Sequence, residues 1–124
     1  MNRLVCVFLL ICSHAIAVEW IGYEEALRVQ EKNNKIIMID VIRTNCGYCS
    51  NMEMAVFEDL YMEDWLEERF ILVKINLDKD YMPLGIKPVM TPSFYFINNK
   101  QDIIKKFIGA WNIEDFKSLT RNIK

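Results

Sequence analysis

Cys46-Gly47-Tyr48-Cys49 sets two thiols three residues apart, near enough to form a disulfide with each other and to exchange it with a partner. In that exchange Cys46 attacks, and Cys49 resolves the mixed disulfide from within the same chain. Both lie at the start of a helical stretch, where the helix terminus stabilises a thiolate by about 0.3 to 1 kcal/mol, or about 2 in partly buried geometry. Since about 1.36 kcal/mol is one pKa unit, a thiol falls from about 8.5 toward about 7, and the reactive thiolate becomes a major species near neutral pH. A structural staple is the competing reading. Closing a loop of roughly four residues constrains the unfolded chain by only about 2 kcal/mol, against about 3 for a 15-residue loop, so the spacing favours exchange.

The first residues decide which other chemistries are open. Met1-Asn2-Arg3 is a short basic start, Leu4 to Cys12 is an unbroken apolar run, and Ala15-Ile16-Ala17 closes it with small residues. This is the layout of a secretory signal peptide, with cleavage expected after Ala17, and the run is short for a bilayer span, which needs about 17 to 25 residues. The expected organisation is a leader over 1–17 and one domain over 18–124. Removal of the leader takes Cys6, Cys12 and His14 with it, and 18–124 keeps two cysteines and no histidine.

That subtraction excludes Ser-His-Asp and Cys-His catalysis and histidine-ligated zinc or copper. Two cysteines also fall short of the four ligands of a closed zinc site. The expectation is therefore no metal and no cofactor beyond the Cys46–Cys49 pair; a Cu(I) site from Cys46, Cys49 and Met90 is the soft-metal alternative. With 15 Lys+Arg against 17 Asp+Glu, the chain carries no electrostatic footprint for nucleic acid.

The elements that must position the cysteines follow from periodicity. Trp20 to Asn33 reads as an amphipathic helix. Ile36 to Ile42 is an apolar run of strand length broken only by Asp40, which predicts a central strand covered on both faces. The helical stretch after Cys46 puts Met52, Val56 and Leu60 on one face, followed by an acidic run, Glu58 to Glu68, that reads as a solvated face. Phe70 to Leu77, with Lys74 inserted, is a second buried strand, and a short turn or helix follows at Tyr81 to Gly85. Phe94 to Ile97 and Ile103 to Ile108 flank a polar turn and predict a hairpin, and Ile113 to Ile123 forms a last helix. The expected order is α-β-α-β-α-β-β-α.

On these residues the chain resembles the thioredoxin superfamily over nearly all of 18–124. Asp40 lies six residues before Cys46, as the buried acid of thioredoxins does. Lys74 resembles their strand lysine, Thr91-Pro92 the pair containing the cis-proline that faces the active site, and Phe107-Ile108-Gly109 the glycine before the last helix. The segments around Glu24–Asp40 and Val56–Lys74 are similar to exported thioredoxin-like reductase domains, including the periplasmic C-terminal domain of the transmembrane electron-transfer reductase.

The resemblance implies an α/β thioredoxin fold, with a central mixed β-sheet flanked by helices. It implies a monomeric thiol-disulfide oxidoreductase in the periplasm, acting on protein disulfides and supplied by a membrane electron-transfer reductase. Cys46 and Cys49 would be catalytic, with Asp40, Lys74, Gly47 and Tyr48 supporting them and Thr91, Pro92 and Met90 meeting substrate. Asp40 would accept the Cys49 proton, and Lys74 would moderate the Asp40 charge. The residues before the motif and the Gly-Tyr dipeptide depart from typical thioredoxins, while Cys-Gly-Tyr-Cys with Thr91 resembles periplasmic disulfide isomerases. The residues therefore leave isomerase or oxidase open beside reductase.

Overall fold

Tertiary structure is described for residues 18–124 of the computed structural model; the expected leader, with Cys6, Cys12 and His14, lies outside the described residues. The elements are α1 (Tyr23–Asn33), β1 (Ile36–Ile42), α2 (Gly47–Met52), α3 (Leu60–Arg69), β2 (Phe70–Asn76), β3 (Ser93–Ile97), β4 (Ile103–Ile108) and α4 (Ile113–Thr120). A single 3-10 turn, Pro83–Gly85, stands between β2 and β3. The four strands form one mixed sheet in the order β2-β1-β3-β4, and this is a thioredoxin fold. Among the described residues no helix is long and apolar enough to cross a membrane.

β1 is the inner strand that the Ile-rich run demands, parallel to β2 and antiparallel to β3. Alternation then divides the core into two layers. Ile37, Ile39 and Val41 join Ile71, Val73 and Ile75 beneath α1. Ile36 and Met38 join Phe70, Leu72, Phe94 and Phe96 on the opposite face, packed against Met52, Val56, Phe57 and Phe116. Edge-on aromatic pairs, such as Phe57 with Phe116 and Phe94 with Phe116, make that second layer rigid. β4 is one of the two edge strands of the sheet and carries Lys105 and Lys106 at its centre.

Several boundaries differ from the sequence reading: β3 starts one residue early at Ser93 and α4 stops at Thr120, three residues before Ile123. The first helix begins at Tyr23, not Trp20, because Ile21 is drawn into a parallel bridge with Val73 and its N–H bonds the Leu72 carbonyl at 3.0 Å. β2 ends at Asn76, one residue short of Leu77. The helical stretch after Cys46 is also broken. Glu53–Phe57 widens into a π-helical turn, closed by the Glu58 N–H on the Glu53 carbonyl at 2.9 Å, and Asp59 restarts the chain by capping α3 through the Met62 N–H. The extra residue resets the helical phase. Met52 and Val56 are buried as expected, but Leu60 is 73% exposed, and Met62 and Leu66 take the inner face of α3.

Candidate active site

The loop from β1 delivers Cys46 through Asn45, which sits in the left-handed region at φ 57°, a conformation that asparagine tolerates well. Cys46 is then the N-cap of α2, its Sγ accepting the Cys49 N–H at 3.2 Å. The two cysteines are joined in a disulfide with Cα atoms 5.2 Å apart. They are not equivalent: Cys46 is half-buried, whereas Cys49 is 8% exposed. Beside Cys49 on the inner side of α2 is Met52, whose Sδ accepts the backbone N–H of Trp111.

Thr91 closes the other side of Cys46. Its hydroxyl donates to Cys46 Sγ at 3.4 Å, and its carbonyl oxygen lies 3.8 Å from the same sulfur. The Thr91–Pro92 peptide bond is cis. The loop is held at both ends, by the Ser93 hydroxyl on the Met90 carbonyl and by the Gly109 N–H on the Pro92 carbonyl at 2.9 Å. Gly109 adopts φ 104°, a region open to glycine and costly for other residues. Two donors, the Cys49 backbone N–H and the Thr91 hydroxyl, thus converge on Cys46 Sγ, and donors so placed stabilise a thiolate.

Asp40 and Lys74 face each other in the β1–β2 register, and strand alternation puts both on the side of the sheet that carries α2. Asp40 is 2% exposed, and its Oδ1 has no hydrogen-bond partner among the described residues. Burial pushes its pKa up to about 7, with Lys74 pulling it down and Glu53 adding to the rise. Lys74 does not ion-pair with Asp40. Its ammonium pairs with Glu53 and lies 4.3 Å from the centroid of the Trp20 ring.

The expected site residues therefore fall into two groups that the fold assembles, plus a rim. Cys46, Cys49 and Thr91 meet at the sulfurs, with Pro92 following Thr91 across the cis bond, and Asp40 and Lys74 are register neighbours on the face of the sheet that carries α2. Tyr48 and Met90 are rim residues, 69% and 61% exposed. Gly47 has open space where a side chain would start, so nothing steric requires glycine there. Sequence reasoning missed Glu53 and the role of Trp20. Glu53 stands one helical turn after Cys49, a spacing visible in the sequence, whereas the Trp20–Lys74 contact spans two elements and leaves no local signal.

Residues 5–100 match a family model described as Thioredox_DsbH, protein of unknown function, DUF255. No curated protein matches the sequence. Among solved structures, a DsbH oxidoreductase superposes with a TM-score of 0.72 at 16% identity, over 87% of this chain and 88% of that one. A thioredoxin from Thermus thermophilus gives 0.69 at 24% identity, over 86% and 87%. The oxidised C-terminal domain of DsbD from Neisseria meningitidis gives 0.65 at 13% identity, over 86% of this chain and all of that one (100%). These are likenesses of fold.

Proposed function

The chain belongs to the thioredoxin-like DsbH/DUF255 family, and on that premise we propose that it is an exported thiol-disulfide oxidoreductase that reduces disulfides in other proteins. The observation that carries the reading is the asymmetry of the pair. Cys46 is the accessible sulfur with two donors aimed at it, and Cys49 is the buried one.

In the dithiol form, the Cys46 thiolate attacks one sulfur of a substrate disulfide. The substrate S–S bond breaks, a Cys46–substrate disulfide forms, and the other substrate sulfur leaves as a thiolate that takes a proton from water. Cys49 then loses its proton to Asp40, whose raised pKa suits it to hold one near neutral pH. The Cys49 thiolate attacks Cys46 Sγ, forms the disulfide seen here and releases the second substrate thiol. Two electrons pass from the cysteine pair to the substrate. The exposed rim of Tyr48 and Met90, with the backbone at Thr91-Pro92, receives the substrate chain by strand-like pairing.

Regeneration requires a dithiol donor, which we assign to a membrane electron-transfer reductase on the strength of the likeness to exported reductase domains. The leader pattern of 1–17 supports export with cleavage after Ala17, and the likeness to exported reductase domains supports a periplasmic, monomeric product. Reduction of insulin disulfides by the protein tests the activity: Cys46→Ser is expected to abolish it and Cys49→Ser to accumulate mixed disulfides, and normal turnover by either variant refutes the mechanism. The reduction potential tests the direction. A value near about −270 mV supports a reductase, whereas one between about −120 and −180 mV assigns the site to oxidation or isomerisation, the alternative that Cys-Gly-Tyr-Cys and Thr91 favour.

A further inference from the structure

We propose that Trp20 is a positioning residue for the buried carboxyl of Asp40: its ring holds the Lys74 ammonium on Glu53 and so keeps it out of a direct ion pair with Asp40. The inference rests on the thiol-disulfide reading, because Asp40 has a proton to accept only if Cys49 must ionise.

Asp40 and Lys74 are direct neighbours in the parallel register of β1 and β2, on strands about 4.8 Å apart, so the lysine stem can reach the carboxyl. It turns away instead. The ammonium pairs with Glu53, 21 residues earlier in sequence, and lies against the Trp20 face at 4.3 Å from the ring centroid, within the range at which an aromatic quadrupole attracts a cation. Trp20 is fixed in turn. Its ring packs edge-on against Phe57 at 5.3 Å and 73°, and the next residue is anchored to β2 by the Ile21 N–H on the Leu72 carbonyl.

The charged groups acting on Asp40 are Lys74 from β2 and Glu53 from the π-helical turn. The β3 neighbour in register is Phe94, which carries no charge, and α2 contributes a disulfide that does not titrate. Trp20 is itself uncharged, so an electrostatic effect on Asp40 must pass through Lys74. A lysine clamped on Glu53 leaves the carboxyl neutral over a pH range in which a directly paired one would be ionised.

The test is the titration midpoint of the Asp40 carboxyl carbon, followed by NMR in the protein in its disulfide form, in a double-mutant cycle. Trp20→Leu keeps apolar cover and removes the π face; it is expected to lower the midpoint by about half a unit. Trp20→Phe is expected to fall between Trp20→Leu and the parent. In a Lys74→Met background, neither change is expected to move the midpoint. A Trp20→Leu shift of equal size with and without Lys74 would mean that the ring only excludes water, and an unmoved midpoint in folded Trp20→Leu likewise overturns the proposal. If Trp20→Leu melts before it can be titrated, Trp20→Phe carries the same comparison at smaller amplitude. Insulin reduction is measured beside it: failure there with the midpoint cycle intact refutes the oxidoreductase reading alone, while an active enzyme with an unmoved midpoint refutes the role of Trp20 alone.

Discussion

β1 and β2 present two faces that begin alike and end differently. Beneath α1 the strands offer Ile37, Ile39, Val41 and Ile71, Val73, Ile75, an aliphatic layer without interruption. On the other face Ile36 and Met38 lead to Asp40, and Phe70 and Leu72 lead to Lys74, at one level of the register. The first face serves cohesion alone. The second gives up two apolar positions at the end where the disulfide sits, burying a carboxyl with an orphan oxygen, an arrangement that opposes folding unless the group is protonated. Stability and reactivity are thus separated by the parity of residue number along the same strands.

Mutations can break that separation. The largest contrast is expected between Cys46→Ser, which removes turnover and leaves the thermal midpoint of the reduced protein nearly unchanged, and Ile39→Ala, which lowers stability by about 2 to 5 kcal/mol while the folded fraction keeps its specific activity. An Ile39→Ala protein that is stable but inactive would show that the aliphatic face also serves the chemistry.

Asp40→Asn sharpens the contrast through pH. The folded-state pKa of Asp40, about 7, lies above its ordinary value of 3.8, so the folded chain binds the extra proton between those values. Stability from this group is present below about pH 4, declines as pH rises toward 7 and levels off above it, a change on the order of 4 kcal/mol. Asp40→Asn is expected to be more stable than the parent at pH 8 and about equal at pH 4, and to resolve mixed disulfides more slowly. Urea unfolding across pH checks the first; a difference curve that stays flat from pH 4 to 8 removes the argument.

Smaller effects of opposite sign are expected from the partners of Asp40. Lys74→Gln moves its midpoint up and Glu53→Gln moves it down, each by about half a unit, as NMR titration would read; shifts in the same direction would contradict the charge arrangement. Smallest of all, Gly47→Ala at the start of α2 is expected to raise stability by about 0.5 kcal/mol, because no atom stands where its methyl group would go. A thermal melt that falls instead would show a constraint on that turn beyond helix propensity.

Much of this was legible in the chain. The run Ile36 to Ile42 announces an inner strand because so many branched apolar residues can be satisfied only by cover on both faces, and Asp40 stands out against it. The Cys46–Cys49 spacing and Thr91-Pro92 identify the residues that meet at the sulfurs. Leu60 was misread because helical periodicity assumes a constant 3.6-residue turn, and the π-helical turn at Glu53–Phe57 breaks that assumption without a proline or glycine to mark it. The Lys74–Glu53–Trp20 contact was illegible for a different reason. Lys74 had two acids within reach, and the choice between them depends on a ring brought in from a segment before α1.

β4 has a consequence for how the molecule behaves in a crowd. An open edge offers unpaired backbone groups to any other strand, including the same strand of a second molecule. Antiparallel self-pairing about the middle of β4 sets Lys105 or Lys106 directly against its own counterpart, and like charges at that spacing repel. The lysines at the middle of an otherwise apolar strand therefore place a charge penalty on that pairing, which disfavours a sheet that grows from one molecule to the next.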